Sequence, residues 1–264
     1  MGGVTVRRRE LPGAGSGVVA EIVLDRPEVM NAISTAMAVA LARQCGELAA
    51  DRDVHAVVLA AAGRAFCVGA DLKERGRMSD ADLLRQRPVF RAAFGGVLGL
   101  PQPVVAAVHG YALGGGCELA LCSDLIVADE SAVFGLPETT VGLVPGGGGT
   151  QLALRRLGPG RAADLVLTGR KLDIGEAERI GLVDRRVPSG TAVRHALEIA
   201  FQLGGNSPVA VRSAKRALRQ GWGIGLDAAL DIEDAAWRTA AFSADRREGI
   251  AAFNEKRDPQ WPGL

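Results

Sequence analysis

Val104-Val105-Ala106-Ala107-Val108-His109-Gly110-Tyr111-Ala112-Leu113-Gly114-Gly115-Gly116-Cys117-Glu118-Leu119-Ala120-Leu121 is the stretch on which the reading of this chain turns. The valine-rich run Val104 to Val108 has no polar face, as expected of a strand buried on both sides in a parallel sheet. Three glycines interrupt it before Glu118-Leu119-Ala120-Leu121 takes on helical character, so the pattern predicts strand, tight turn, helix. Glycine lets a ligand lie against bare backbone, and the first turn of a helix presents unpaired N–H groups and the positive end of the macrodipole. A helix starting near Gly115 places Glu118 three residues on, on the face of the Gly115 amide. A donor for developing negative charge and an acid/base carboxylate then converge. The same glycines also permit close strand–helix packing, with Glu118 as an ordinary first-turn acid, and on this stretch by itself that is the simpler account.

The remaining composition narrows the classes. At 264 residues the chain is long enough for one large domain with a substantial core, and 31 basic against 30 acidic residues leave a net charge of +1. Such a balance does not point to nucleic acid. No apolar run approaches the ~20 residues that span a bilayer, and the region around Arg7-Arg8-Arg9 lacks the apolar core of a signal peptide, so a cytoplasmic protein is expected. Cys45, Cys67, Cys117 and Cys122 form no C-x-x-C pair and are read as buried free thiols. His55, His109 and His195 are too scattered for a metal cluster, and no metal is expected. His109, the one near the central turn, is assigned a supporting or core role.

Outward from the central stretch, strands are expected at Val18 to Asp25 and His55 to Ala61, with a helix between them from about Ser34 to Asp51. Gly63 to Lys73 forms a second loop of small residues with accessible amides. Ser79-Asp80-Ala81-Asp82 reads as a capping box opening a helix toward Leu100, with Pro88 expected to kink or divide it within a mobile segment. Gly13-Ala14-Gly15-Ser16-Gly17 is read as a turn, and Arg7 to Arg9 as a solvated charge run. Short strands follow at Leu125 to Ala128, Ala132 to Phe134 and Leu182 to Val187. Helices are expected from Thr150 to Gly158, Gly160 to Thr168 and Glu176 to Ile180. From about Asn206 the pattern is helical only, which divides the chain into an alternating α/β core over residues 1–204 and a helical region over 205–264.

Several nucleotide and hydrolase patterns are absent. Gly146 to Thr150 has no lysine where the Walker pattern requires one, and Val18 stands where a dinucleotide fingerprint after Gly13 needs its third glycine. Neither G-x-S-x-G nor H-E-x-x-H occurs. Carboxylates and backbone amides remain as the chemical groups.

Three motifs in register settle the resemblance: Ala65-Phe66-Cys67-Val68-Gly69-Ala70-Asp71-Leu72-Lys73, the stretch from Gly110 to Ala120, and Phe134-Gly135-Leu136-Pro137-Glu138 followed by Val144 to Gln151. Together they closely resemble the crotonase family of enoyl-CoA hydratases and isomerases, over nearly the whole chain from Asp25-Arg26-Pro27 to Phe253-Asn254-Glu255-Lys256-Arg257. The resemblance implies an α/β spiral of ββα units with a helical C-terminal region used for trimers, commonly doubled into hexamers. It implies an acyl-CoA substrate, with coenzyme A part of that substrate and no separate cofactor.

By the same resemblance the amides of Ala70 and Gly115 form an oxyanion hole for the thioester carbonyl. Glu118 and Glu138 match the hydratase branch: Glu118 activates a water that attacks the β-carbon, Glu138 protonates the α-carbon, and the Gly146 amide helps to seat the water. Coenzyme A is implied near Arg26 and Val29 and along Val68, Ala70, Asp71, Leu72 and Lys73, with Phe253 and Lys256 supplied by a neighbouring subunit. The segment Glu74 to Phe94 is expected to line the acyl pocket. Other crotonase reactions, including isomerisation, remain open alternatives, as does a weakly catalytic thioester-binding protein. The run Ala70 to Arg75 and the run Val144 to Gln151 look most like the branch containing methylglutaconyl-CoA hydratases. Some members of that branch bind RNA through a lysine-rich first helix, but the corresponding Ser34 to Cys45 is nearly uncharged, which argues against RNA here.

Overall fold

The structure, a computed structural model, describes residues 3–11 and 17–264. Most of the turn expected at Gly13 to Gly17 therefore lies outside the described residues. The strands are β1 (Val4–Glu10), β2 (Val18–Leu24), β3 (Val54–Ala61), β4 (Val104–Val108), β5 (Tyr111–Leu113), β6 (Leu125–Asp129), β7 (Val133–Gly135), β8 (Lys171–Asp173) and β9 (Arg185–Val187). The helices of the α/β part are α1 (Thr35–Ala50), α2 (Leu72–Arg75), α3 (Asp80–Leu98), α4 (Gly115–Cys122), α5 (Gly149–Leu157), α6 (Pro159–Thr168), α7 (Ile174–Arg179) and α8 (Ala192–Gly204). Three more follow: α9 (Pro208–Gly221), α10 (Leu226–Ala241) and α11 (Ala244–Glu255).

Two sheets share the strands. The larger runs β1-β2-β3-β4-β6-β9, parallel except for β1, and the smaller runs β5-β7-β8. After β4 the chain crosses to the small sheet as β5, makes α4, returns to the large sheet as β6 and crosses again as β7, so the repeating unit is ββα. Single bridges extend the spiral backward, Cys67 pairing with Ala112 and Ile33 with Ala70. The absence of a polar face on β4 has a direct cause. Val104, Ala106 and Val108 face the main core, while Val105 and Ala107 face a second core layer made by Ala192, Ala196 and Ala200 of α8.

Local rules hold at the helix starts. Ser34 Oγ accepts the Met37 amide at 3.2 Å, and Ser79 and Asp82 form the expected reciprocal capping box. Two expectations are corrected. Pro88 does not divide its helix, for α3 runs unbroken from Asp80 to Leu98. Pro88 and Leu84, whose carbonyl loses its intrahelical partner, lie on the exposed face, where water can serve it, while Phe90, Phe94 and Val97 anchor the opposite face. Nor is Arg7 to Arg9 simply a solvated run. It lies in β1, an antiparallel edge strand, and Arg9 donates through Nε and Nη2 to the buried Glu21 carboxylate at 2.9 and 2.6 Å. Strands β1 and β8 were both missed, because a charged edge strand and a three-residue strand carry little alternation.

The last helices are fastened to the core by charge. Lys215 and Arg219 of α9 both meet Asp124 at 2.7 Å, and Lys215 also donates to the Gln102 carbonyl at 2.6 Å. Burial pushes the Lys215 ammonium down to about 8 against the opposing field of Asp124. The outer faces of these helices expose large apolar side chains, among them Leu218, Trp222, Leu226, Trp237 and Phe242. No helix among the described residues is long and apolar enough to cross a membrane.

Candidate active site

The site begins where two backbone turns touch. Gly114 precedes α4 with φ 52° and ψ −124°, a conformation that a side chain would strain. A Cβ on Gly116 would stand 2.0 Å from the Cys67 carbonyl oxygen, so only glycine lets α4 start against the segment leading to Ala70. At Gly69 an added Cβ would lie 3.2 Å from the Gly115 nitrogen, which shows how closely the two turns approach. On either side of Ala70, Ile33 N–H donates to the Gly69 carbonyl at 2.8 Å and Asp71 N–H to the Ile33 carbonyl at 3.0 Å. These bonds leave the Ala70 N–H free. Gly115, first residue of α4, likewise has no intrahelical acceptor, and neither amide finds a partner among the described residues.

Glu118 lies in the first turn of α4 and is 3% exposed. Its Oε1 accepts the amides of Gly147 at 2.6 Å and Gly149 at 2.8 Å, the latter being the first residue of α5. One carboxylate oxygen is thus held at the N-terminus of α5 while Oε2 has no hydrogen-bond partner among the described residues. Burial raises the proton affinity of Glu118, and the Gly149, Gly147 and Gly146 amides, whose dipoles favour the charged form, oppose that rise. Glu138 sits in the short helical turn Pro137–Val141 that follows β7. Its Oε2 is buried without a hydrogen-bond partner among the described residues, and its Oε1 lies 3.0 Å from where a Gly114 Cβ would stand. Burial pushes this carboxyl up to about 7, helped by the negative field of Glu118 and opposed by its own amide and by Arg75.

Both glutamates, Ala70, Gly115 and Gly146 line one cavity of about 550 Å³, a volume suited to an organic ligand. Val68 and Leu72 join them. Its far wall comes from α3 and the end of α2, as expected for the segment Glu74 to Phe94: Arg75, Gln86, Arg87, Phe90 and Phe94 all face it. The other predicted contacts lie elsewhere. Arg26 donates to the Ala32 carbonyl at 2.5 Å and pairs with Asp71 at 3.2 Å, while Asp71 caps α2 by accepting the Glu74 amide. Val29 ends the short turn Pro27–Val29, and Lys73 is exposed on α2. Phe253 is 84% exposed on α11, and Lys256 ends that helix with φ 56°. His109 binds the Gly63 carbonyl through Nε2 at 2.9 Å. All four cysteines are buried and free, and burial pushes the Cys67 and Cys122 thiols up to about 12, far from a reactive thiolate.

Sequence reasoning named Gly146 beside Glu118 but missed Gly147 and Gly149, whose amides hold the carboxylate. The glycine run before an expected helix was the available signal, since amides at such a start have no partner of their own. Arg75 and Arg87 were missed as well. Nothing in the sequence separates a cavity-facing arginine from a surface one.

A family model described as enoyl-CoA hydratase/isomerase matches residues 14–263. The chain is 39% identical to the 2,3-dehydroadipyl-CoA hydratase of Escherichia coli, over 92% of this chain and 94% of that protein. It is also 39% identical to enoyl-CoA hydratase domain-containing protein 2, mitochondrial, of Homo sapiens, over 99% and 91%. A crystal structure of enoyl-CoA hydratase from Bacillus anthracis superposes with a TM-score of 0.92 at 38% identity, covering 99% of this chain and 100% of that one. The chain belongs to the enoyl-CoA hydratase/isomerase, or crotonase, family, and its fold is the crotonase fold. It is a crotonase-family enzyme.

Proposed function

We propose that the protein is an enoyl-CoA hydratase, adding water reversibly across the double bond of a trans-2-enoyl-CoA. The observation that carries this reading is the convergence of two amides without partners among the described residues, the buried Glu118 carboxylate and the partly buried Glu138 carboxyl on one cavity. The Ala70 and Gly115 amides receive the thioester oxygen as charge moves onto it, a contribution of ~3 kcal/mol for each such donor. Glu118, ionised and clamped through Oε1, takes a proton from water through its free Oε2 as the water oxygen bonds to the β-carbon. The resulting enolate collapses as Glu138 delivers its proton to the α-carbon. The net change is one water added, and the proton gained by Glu118 replaces the one lost by Glu138 after exchange through solvent. A carboxyl raised to about 7 is partly protonated at neutral pH, which suits Glu138 to donation. No cofactor beyond the coenzyme A of the substrate enters this scheme.

The same proposal includes a homotrimer, or a dimer of trimers, covering the exposed apolar faces of α9 to α11. Phe253 and Lys256 would then complete the coenzyme A site of an adjoining subunit, consistent with neither lining the cavity of its own chain. A cytoplasmic setting is proposed with it. The test is a spectrophotometric hydration screen over short, long, branched and carboxylated enoyl-CoAs, with Glu118→Gln and Glu138→Gln beside the parent. Each variant should lose ~10²- to 10⁴-fold in turnover while still binding the thioester. Parental rates in both variants would refute the assignment. A silent Glu118→Gln beside an inactive Glu138→Gln would favour a one-acid isomerase instead.

A further inference from the structure

The cavity contains two guanidinium groups that the hydration scheme does not use. Arg75, at the end of α2, is fixed from two sides: its Nε donates to Gln86 Oε1 at 3.1 Å, and its guanidinium carbon lies 4.8 Å from the centre of the Phe90 ring. Gln86 is itself buried and anchored, donating through Nε2 to Thr35 Oγ1 at 2.8 Å. Both terminal nitrogens of Arg75 are left without an acceptor among the described residues. Arg87, on α3, donates among the described residues through Nη1 alone, to the Gly146 carbonyl at 2.6 Å. Neither arginine forms an ion pair with a carboxylate among the described residues, although both face the cavity that holds Glu118 and Glu138.

A purely hydrocarbon acyl tail gives these donors nothing. The same cavity has an apolar surface from Leu83, Phe90 and Phe94, against which such a tail could lie, but closing it over the terminal nitrogens of the half-buried Arg75 would remove water without replacing its hydrogen bonds. Paired N–H donors held in one plane are instead matched to a carboxylate, which can take two parallel hydrogen bonds from one arginine. We infer that the acyl group of the preferred substrate ends in a carboxylate held by Arg75 and Arg87, so that the enzyme acts on enoyl-CoA thioesters of dicarboxylic acids. This inference rests on the hydratase reading for its reaction but not for its binding geometry.

The experiment compares two thioesters of equal length, 2,3-dehydroadipyl-CoA and trans-2-hexenoyl-CoA, which differ by carboxylate in place of methyl. The expected result is a kcat/KM ratio of ~10- to 100-fold in favour of the carboxylated substrate, as for a hydrogen bond to a charged partner. In Arg75→Met and Arg87→Met that ratio should fall toward one. Calorimetric binding of the saturated pair adipyl-CoA and hexanoyl-CoA tests the pocket without catalysis, and Arg75→Lys serves where the methionine variant does not fold. Absence of hydration with both enoyl-CoAs, beside tighter binding of adipyl-CoA, would sink the hydratase reading and leave the carboxylate site standing. Equal rates and equal binding for the two members of each pair, or variants that slow both substrates alike, would overturn the inference.

Discussion

Replacing Glu138 with glutamine should cost activity and yet stabilise the protein, in a way that depends on pH. The carboxyl stands at about 7 in the folded chain against an ordinary 4.5, chiefly because burial disfavours its charged form. Between those values the folded state holds more of the proton than the unfolded state does. Stability therefore falls as pH rises through this window and levels off above it. At ~1.4 kcal/mol for each tenfold change in proton affinity, the ionised carboxylate would cost at most about 3 kcal/mol. Glu138 is only partly buried, and solvent screening reduces this to about 1–2 kcal/mol. Glutamine has nearly the same shape and never ionises, so Glu138→Gln escapes that cost. Thermal unfolding followed by circular dichroism at pH 5 and pH 8 is the assay. The variant's melting temperature relative to the parent should rise by ~2–6 °C more at pH 8 than at pH 5, while hydration falls by at least ~10²-fold at both. An identical difference at the two pH values would refute the argument from burial. The same raised carboxyl predicts that hydration, which needs Glu138 protonated, declines as pH rises beyond about 7.

Other outcomes follow from the geometry around the glutamates and the last helix. In Gly149→Ala the new Cβ would stand 2.9 Å from Pro145 Cβ and 3.0 Å from Glu118 Oε1, displacing the carboxylate from its clamp. Turnover should drop at least tenfold with KM little changed, and steady-state kinetics showing the reverse would count against the clamp. Lys256→Ala should raise KM for acyl-CoA in a salt-sensitive way with kcat nearly constant, and Phe253→Ala should do so without the salt dependence. Kinetics at two ionic strengths checks both. A chain ending at Asp245 should lose its higher oligomer in light scattering, and one that stays oligomeric with parental KM would remove the shared coenzyme A site.

Much of the site was legible before any tertiary information because its parts are local. Gly114, Gly115 and Glu118 belong to one strand–turn–helix, and the spacing from Gly115 to Glu118 already places an amide and a carboxylate on one face. Ser34, Ser79 and Asp82 cap their helices through contacts only three residues long, so their positions could be read from residue type. Family motifs added Ala70 and Glu138, which no local rule connects to Glu118.

What the sequence could not determine was which distant groups share a cavity and what they do there. Glu118 becomes clamped only when α5 brings Gly147 and Gly149 against α4, about thirty positions away in the chain. Arg75 acquires its meaning from Gln86 and Phe90, which fix its plane, and from having no carboxylate in direct ion-pair contact among the described residues. The edge strand β1 exists because β2 offers it a ladder and Glu21 a charge, while its own arginines argue for solvent. Pro88 was misjudged for a related reason: its local penalty is real, but the apolar face anchored by Phe90, Phe94 and Val97 outweighs it once α3 is packed. Short-range hydrogen bonding and periodicity are written in neighbouring residues. Burial, pairing of charge and proton affinity are properties of the assembled interior, and only the tertiary structure decides them.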